Sequence, residues 1–160
     1  MSLPTQARVV IIGGGVVGCS VAYHLAKLGW KDVVLLERKQ LTSGTTWHAA
    51  GLIGQLRASQ NMTKLARYSA ELYKGLEAET GVATGLRQGG SVSAALTNER
   101  LEELYRQAAM ARAFGVPVEE LSPKEVKEKY EHINLDGVTG GVWLPTDGQA
   151  DPANIALALA

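Results

Sequence analysis

A chain of 160 residues with 46% hydrophobic side chains can bury a core and is about one domain by length. Its 16 basic and 16 acidic residues cancel, which argues against nucleic acid or a membrane surface as partner, and no apolar run is long enough to span a bilayer. One cysteine excludes an internal disulfide framework, and with no charged-then-apolar leader the sequence reads as cytoplasmic.

Met1 to Arg8 is a short polar lead-in. Arg8 to Ile12 is a β-branched run that predicts a strand, followed by a helix from about Val16 to Leu28 that Gly29 ends. Val21, Leu25 and Leu28 follow helical spacing and are expected to face a sheet. Val33 to Leu36 is continuously apolar, as a buried parallel strand is. Residues 8 to 37 thus form a βαβ unit.

Within that unit Gly13, Gly15 and Gly18 give G-x-G-x-x-G directly after the strand and at the start of the helix. The first glycine permits a tight turn, the second lets the backbone approach a diphosphate, and the third lets helix and strand pack closely. The diphosphate then lies on the positive end of the helix. Glu37 closes the second strand 19 residues past Gly18, where a carboxylate accepts both hydroxyls of an adenosine ribose and repels a 2′-phosphate. A glycine-rich turn in some other α/β fold is the alternative. Arg38 is either an adenine neighbour or a solvated charge. Cys19 reads as a small packing residue, and His24 and His132 as structural.

Residues 39 to 60 are glycine- and threonine-rich and read as a cofactor-facing loop plus a short helix start. A second amphipathic helix runs from Met62 to Thr80, with Leu65, Tyr68, Leu72 and Leu76 on one stripe and Gly81 closing it. Leu86 to Leu96 is strand material. Asn98 is positioned to cap a helix from Glu99 to Phe114, with Leu101, Leu104, Tyr105 and Ala108 inward. A short strand is expected in Val116–Leu121. Ser122-Pro123-Lys124-Glu125 is a capping box opening a helix to about Tyr130. Val138 to Leu144 is a strand, Pro145-Thr146-Asp147-Gly148 a turn, and Asp151-Pro152 opens a last helix, in which the sequence stops. We therefore read the chain as part of a longer protein, with three parts: a nucleotide-binding part over 1–80, the start of a mixed α+β subdomain over 81–150, and a helix over 151–160 returning to the first part.

Leu41-x-Ser43-Gly44-Thr45-Thr46-Trp47-His48-Ala49-Ala50-Gly51-Leu52 resembles the covalent-flavin region of the dimethylglycine and sarcosine dehydrogenases, within the D-amino-acid oxidase-like FAD superfamily. The resemblance continues through Leu76-Glu77-Ala78-Glu79-Thr80-Gly81, Gly89-Gly90-Ser91, Leu121-Ser122-Pro123, Leu144-Pro145-Thr146-Asp147-Gly148 and Asp151-Pro152, and so spans nearly the whole chain. It implies an α/β fold: a Rossmann-like FAD-binding βαβ domain with the start of a mixed α+β substrate domain. The stretches from Leu86 and Val138 would begin an antiparallel sheet over the flavin face.

The resemblance also implies FAD as cofactor. Gly13, Gly15, Val16, Val17 and Gly18 would surround the diphosphate, with Glu37 and Arg38 at the adenosine. Ser43, Gly44, Thr45, Thr46, Trp47, Ala49, Gly51 and Leu52 would follow the pyrophosphate and the isoalloxazine edge. His48 would be joined to the flavin 8α-methyl carbon, a noncovalent hydrogen-bonding neighbour being the alternative. The implied activity is oxidative N-demethylation of sarcosine or dimethylglycine by hydride transfer to the flavin. The electron acceptor would be electron-transfer flavoprotein or oxygen, and a tetrahydrofolate domain would lie downstream.

No residue of the chain is assigned as substrate base or carboxylate clamp, and Arg57 is either an anion contact or a solvated arginine. Two other readings stand beside this one. One is an amine or amino-acid oxidase of the same fold with noncovalent FAD. The other is a non-catalytic regulatory relative, expected to lack a histidine at position 48.

Overall fold

A computed structural model describes residues 4–160, so Met1, Ser2 and Leu3 of the polar lead-in lie outside the described residues. Two compact units emerge. The first contains the chain up to Leu52 together with Glu71–Leu86 and Ala150–Ala160, and the second contains Ile53–Ala70 and Arg87–Gln149.

In the first unit β1 (Val9–Ile12) and β2 (Val33–Leu36) pair in parallel, with Val9 opposite Val33 and Ile12 opposite Leu36. The crossover between them is α1 (Val16–Lys27). Gly29 follows α1 at a φ of +78°, the left-handed conformation that lets the chain turn out of a helix at little cost. The expected apolar face of α1 is not the buried one. Val21 and Leu28 are exposed, whereas Gly18 and Cys19 are buried. The cause is the close approach at Gly18, where a Cβ would lie 1.9 Å from the Gly13 carbonyl oxygen. At that separation small residues meet the strand, and the branched ones are turned outward.

The first unit also holds the single 3-10 turn Thr46–His48 and α5 (Pro152–Ala158). Asp151 caps α5 as expected, accepting the N–H groups of Ala153 and Asn154 at 2.9 and 3.0 Å. Ile155, Ala156 and Ala158 are buried on α5, which packs on α1.

The second unit is built on an antiparallel sheet in the order β4 (Ser91–Ala95), β6 (Gly140–Leu144), β5 (Glu119–Leu121). Ser91 faces Leu144 and Glu119 faces Trp143. Helix α3 (Asn98–Ala113) covers this sheet, and Ala95, Leu104, Ala108 and Val142 form its core, with Leu101 and Val118 packed against them. Helix α4 (Pro123–Lys129) buries Val126 completely. Gly141 accommodates it, since a Cβ there would stand 2.9 Å from the Val126 side chain and 2.6 Å from the Ser93 carbonyl. The capping box opening α4 is formed as read, with the Ser122 hydroxyl accepting the Glu125 N–H and the Glu125 carboxylate accepting the Ser122 N–H. Two short strands, β3 (Leu52–Ile53) and β7 (Gly148–Gln149), complete the elements, and the long helix α2 (Gln60–Thr80) gives its first half to the second unit and the rest to the first.

Several expectations are corrected. The cap of α3 is Thr97, not Asn98: Thr97 is extended at φ −137° and its side chain accepts the Arg100 N–H, while Asn98 is already helical. Tyr105 is exposed and Ala111 takes the buried place on α3, because the sheet is met by the small side of the helix. On α2 the buried positions are Thr63, Ala70 and Leu76, with Leu65 and Tyr68 exposed. Of the segments expected to be extended, only Ser91–Ala95, Glu119–Leu121 and Gly140–Leu144 join the ladder, since pairing with β6 limits the length of its neighbours.

Candidate functional site

The glycine segment, Glu37 and the threonine loop converge within the first unit. Gly13 leaves β1 at a φ of +106°, which only glycine adopts readily, and a Cβ there would meet nothing within 4 Å. Gly15 caps α1, and a Cβ on it would meet only the Thr46 hydroxyl, at 3.1 Å. The three glycines therefore serve different ends. Gly13 supplies backbone conformation, Gly15 an open approach to the helix start, and Gly18 the contact between helix and strand.

Glu37 stands at the end of β2 and reaches back to the loop. Its Oε2 accepts the Gly14 N–H at 2.8 Å and its Oε1 the Lys39 N–H at 2.9 Å. The Gly14 N–H, then that of Lys39, holds this carboxyl below its ordinary range. Each carboxylate oxygen has a further lone pair, so ribose hydroxyls can be accepted without breaking either bond. Gly14 was not singled out from the sequence. It is buried, its N–H is the anchor for Glu37, and a Cβ on it would stand 2.5 Å from the Leu41 side chain. The available signal was the unbroken Gly13-Gly14-Gly15 run.

The threonine loop is attached to the same structure at two points. Thr42, at a φ of +70°, donates its N–H to the Gly14 carbonyl at 2.8 Å. The Thr46 hydroxyl accepts the Val16 N–H, the first of α1, at 3.0 Å. Among the described residues, no acceptor meets the N–H groups of Gly15 and Val17, so these are the donors a diphosphate would find at the positive end of α1. The arrangement fits the adenosine diphosphate part of a dinucleotide: a glycine-bordered approach, unsatisfied amides at a helix start, and a ribose-facing carboxylate.

His48 closes the 3-10 turn and is exposed. Its N–H bonds the Thr45 carbonyl at 3.1 Å and its ring lies 3.9 Å from that of Trp47, centroid to centroid. Arg38, Ser43, Gly44, Thr45, Trp47 and Ala49 are all exposed, and a Cβ on Gly44 would meet nothing within 4 Å. Gly51 has a different occupation. It is buried, and a Cβ would stand 2.0 Å from the carbonyl oxygen of Ala150, whose N–H bonds the Gly51 carbonyl at 2.9 Å. This contact accounts for the glycine by packing. Leu52 beside it is exposed.

Cys19 is buried, and burial pushes its thiol above the ordinary range, which suits a packing residue. The Nδ1 of His24 lies 2.6 Å from the Ser20 carbonyl within α1, and His132 is exposed beside Glu131. Among the described residues there is no group of three or more candidate metal ligands, and no helix is long and apolar enough to cross a membrane.

The second unit carries a separate buried polar network. Asp147 accepts the Gln55 N–H at 2.8 Å on Oδ1 and the Ser91 hydroxyl at 2.7 Å on Oδ2. The Thr146 carbonyl accepts the side-chain amides of both Gln55 and Gln88. Arg57 follows this segment as an exposed cation whose Nη1 donates to the Leu56 carbonyl at 3.0 Å. The turn read from Pro145 to Gly148 is thus a clasp for the segment around Gln55.

Comparison with known proteins agrees with this geometry. The family described as FAD dependent oxidoreductase matches residues 8–160. Human sarcosine dehydrogenase is 46% identical over 99% of the chain, and the mouse pyruvate dehydrogenase phosphatase regulatory subunit is 45% identical over all of it. The chain spans only 17% and 18% of the length of these two proteins. Rat dimethylglycine dehydrogenase is 43% identical over 97% of the chain. Among solved structures, L-proline dehydrogenase from P. horikoshii superposes with a TM-score of 0.91 at 32% identity, covering 99% of this chain and 41% of that one.

Proposed function

This chain belongs to the family of FAD-dependent oxidoreductases, and from that premise we propose that the whole protein carrying it oxidatively demethylates a methylated amine, sarcosine or dimethylglycine. Bound FAD supplies the two-electron acceptor for a hydride leaving the N-methyl carbon, and water converts the resulting iminium to formaldehyde and the demethylated amine. The residues of this chain hold that cofactor. Gly15 and Val17 offer N–H donors to the diphosphate, and Glu37 offers its carboxylate to the adenosine ribose. Gly13 and Gly18 set the backbone that makes both possible.

His48 is the residue we assign as the flavin tether. The supporting observation is its place on a turn that Thr46 fastens to the start of α1. As tether, His48 would hold the flavin through a bond from an imidazole nitrogen to the 8α carbon, a coupling that would release two protons and need a two-electron oxidant such as dioxygen. Electron-transfer flavoprotein or oxygen would take the electrons in turnover, and a tetrahydrofolate site elsewhere in the whole protein would capture the one-carbon unit.

Acid precipitation of the whole protein tests the tether: a yellow, fluorescent pellet is expected from wild type and a colourless one from His48→Ala. A colourless wild-type pellet would support the noncovalent oxidase reading. The 45% identity to a phosphatase regulatory subunit favours a second reading without catalysis. FAD bleaching by sarcosine or dimethylglycine under anaerobic conditions decides against it, and a flavin that neither these amines nor glycine, proline or 4-methylaminobutanoate bleaches decides for it.

A further inference from the structure

We propose that Thr46 is a positioning residue for His48: its hydroxyl ties the turn carrying the imidazole to the diphosphate-binding helix start. The proposal rests on the assignment of His48 as tether and explains how this chain would aim it. The Thr46 side chain is 9% exposed, and its Oγ1 accepts the Val16 N–H at 3.0 Å across 30 residues of sequence. A second attachment, from the Thr42 N–H to the Gly14 carbonyl at 2.8 Å, holds the other end of the loop. Between them the Trp47 N–H reaches the Thr42 carbonyl at 3.4 Å.

From Thr46 to His48 the path is a single hydrogen-bonded turn. The His48 N–H bonds the Thr45 carbonyl at 3.1 Å and the Ala49 N–H bonds the Thr46 carbonyl at 3.2 Å. These two hydrogen bonds close the turn on either side of Trp47, so a shift at Thr46 moves the backbone that carries His48. Neither Ser43 nor Thr45 can substitute, since both are exposed and the side chain of Thr45 makes no capping bond.

The test uses the whole protein with three sequences at position 46: wild type, Thr46→Val and Thr46→Ser. Valine keeps the shape and removes the hydroxyl; serine keeps the hydroxyl. Apoprotein is mixed with saturating FAD, and acid-stable flavin fluorescence is followed with time. A displacement of about 1 Å can cost about a hundredfold in a bond-forming step, so Thr46→Val is expected to slow incorporation at least about tenfold. Thr46→Ser should stay within about twofold of wild type. A role confined to stability would lower the thermal midpoint without changing the rate at saturating FAD, so incorporation by Thr46→Val at the wild-type rate would overturn the proposal.

If wild type itself retains no acid-stable flavin, the tether assignment falls and the positioning role is judged by amide exchange in the FAD-loaded protein. Faster exchange at Val16 and at Trp47–Ala49 in Thr46→Val, absent in Thr46→Ser, would sustain it. Unchanged exchange would overturn it.

Discussion

The two units are held together by different means. In the second, side-chain burial dominates: Leu104, Ala108, Ala95 and Val142 close a core between a helix and an antiparallel sheet. In the first, backbone geometry dominates. Its parallel sheet has two strands in the described residues, Ile12 is 89% exposed, and every contact that defines the glycine loop has a main-chain atom of the loop on one side. The unit that carries the glycine loop thus spends its sequence on where the backbone goes. The other spends its sequence on what is buried.

The largest expected effect breaks the first unit at its tightest backbone contact. Gly18→Ala would place a methyl group 1.9 Å from the Gly13 carbonyl oxygen, which no rotamer can relieve. Helix and strand must separate, and we expect the variant to take up no FAD and to elute colourless after incubation of the apoprotein with the cofactor. Gly13→Ala adds a methyl to open space, and its cost is only that of a φ of +106°, about 1–3 kcal/mol. Equal losses in the two variants would show that the close helix–strand contact is not what the third glycine provides.

In the second unit the corresponding experiment removes volume. Leu104 is 1% exposed, so Leu104→Ala should destabilise by about 2–5 kcal/mol in thermal or denaturant unfolding. The contrast between units makes a sharper claim. Amide exchange should accelerate over β4, β6 and α3 while the amides of α1 keep their protection. Uniform acceleration would mean that the two units unfold as one.

The same contrast governs what could be read from the sequence. The Gly13, Gly15 and Gly18 spacing and the strands on either side were legible, because they are local and each glycine answers a local constraint. The bonds from Gly14 to Glu37 and from Val16 to Thr46 were not, because they join residues 23 and 30 apart and depend on side-chain direction. The face of α1 was misread for a related reason. Helical periodicity identifies Val21 and Leu28 as apolar, but Gly18 decides which side comes nearest the strand. At Thr97 and Asn98 two good caps are adjacent, and composition cannot choose between them. Asp147 read as a turn residue, since the turn was visible but not Gln55 and Ser91, its partners across 92 and 56 residues.

The smallest expected effect is graded by pH and belongs to Glu37. Its carboxyl is held below the ordinary range in the folded chain, first by the Gly14 N–H. The ionised form is therefore favoured by folding, and its stabilising contribution is complete above the ordinary carboxylate range. As pH falls through the lowered folded value, the proton neutralises the acceptor and that contribution is lost. FAD affinity of the whole protein, measured in the His48→Ala background where no tether forms, should weaken over the same acid window, because the protonated acid is a poorer acceptor for both the Gly14 N–H and the ribose hydroxyls. Glu37→Gln keeps the shape, removes the charge, and should weaken FAD several-fold at neutral pH while flattening the acid limb. An acid limb that survives in Glu37→Gln would assign the titration to another group and leave Glu37 as a hydrogen-bond acceptor alone.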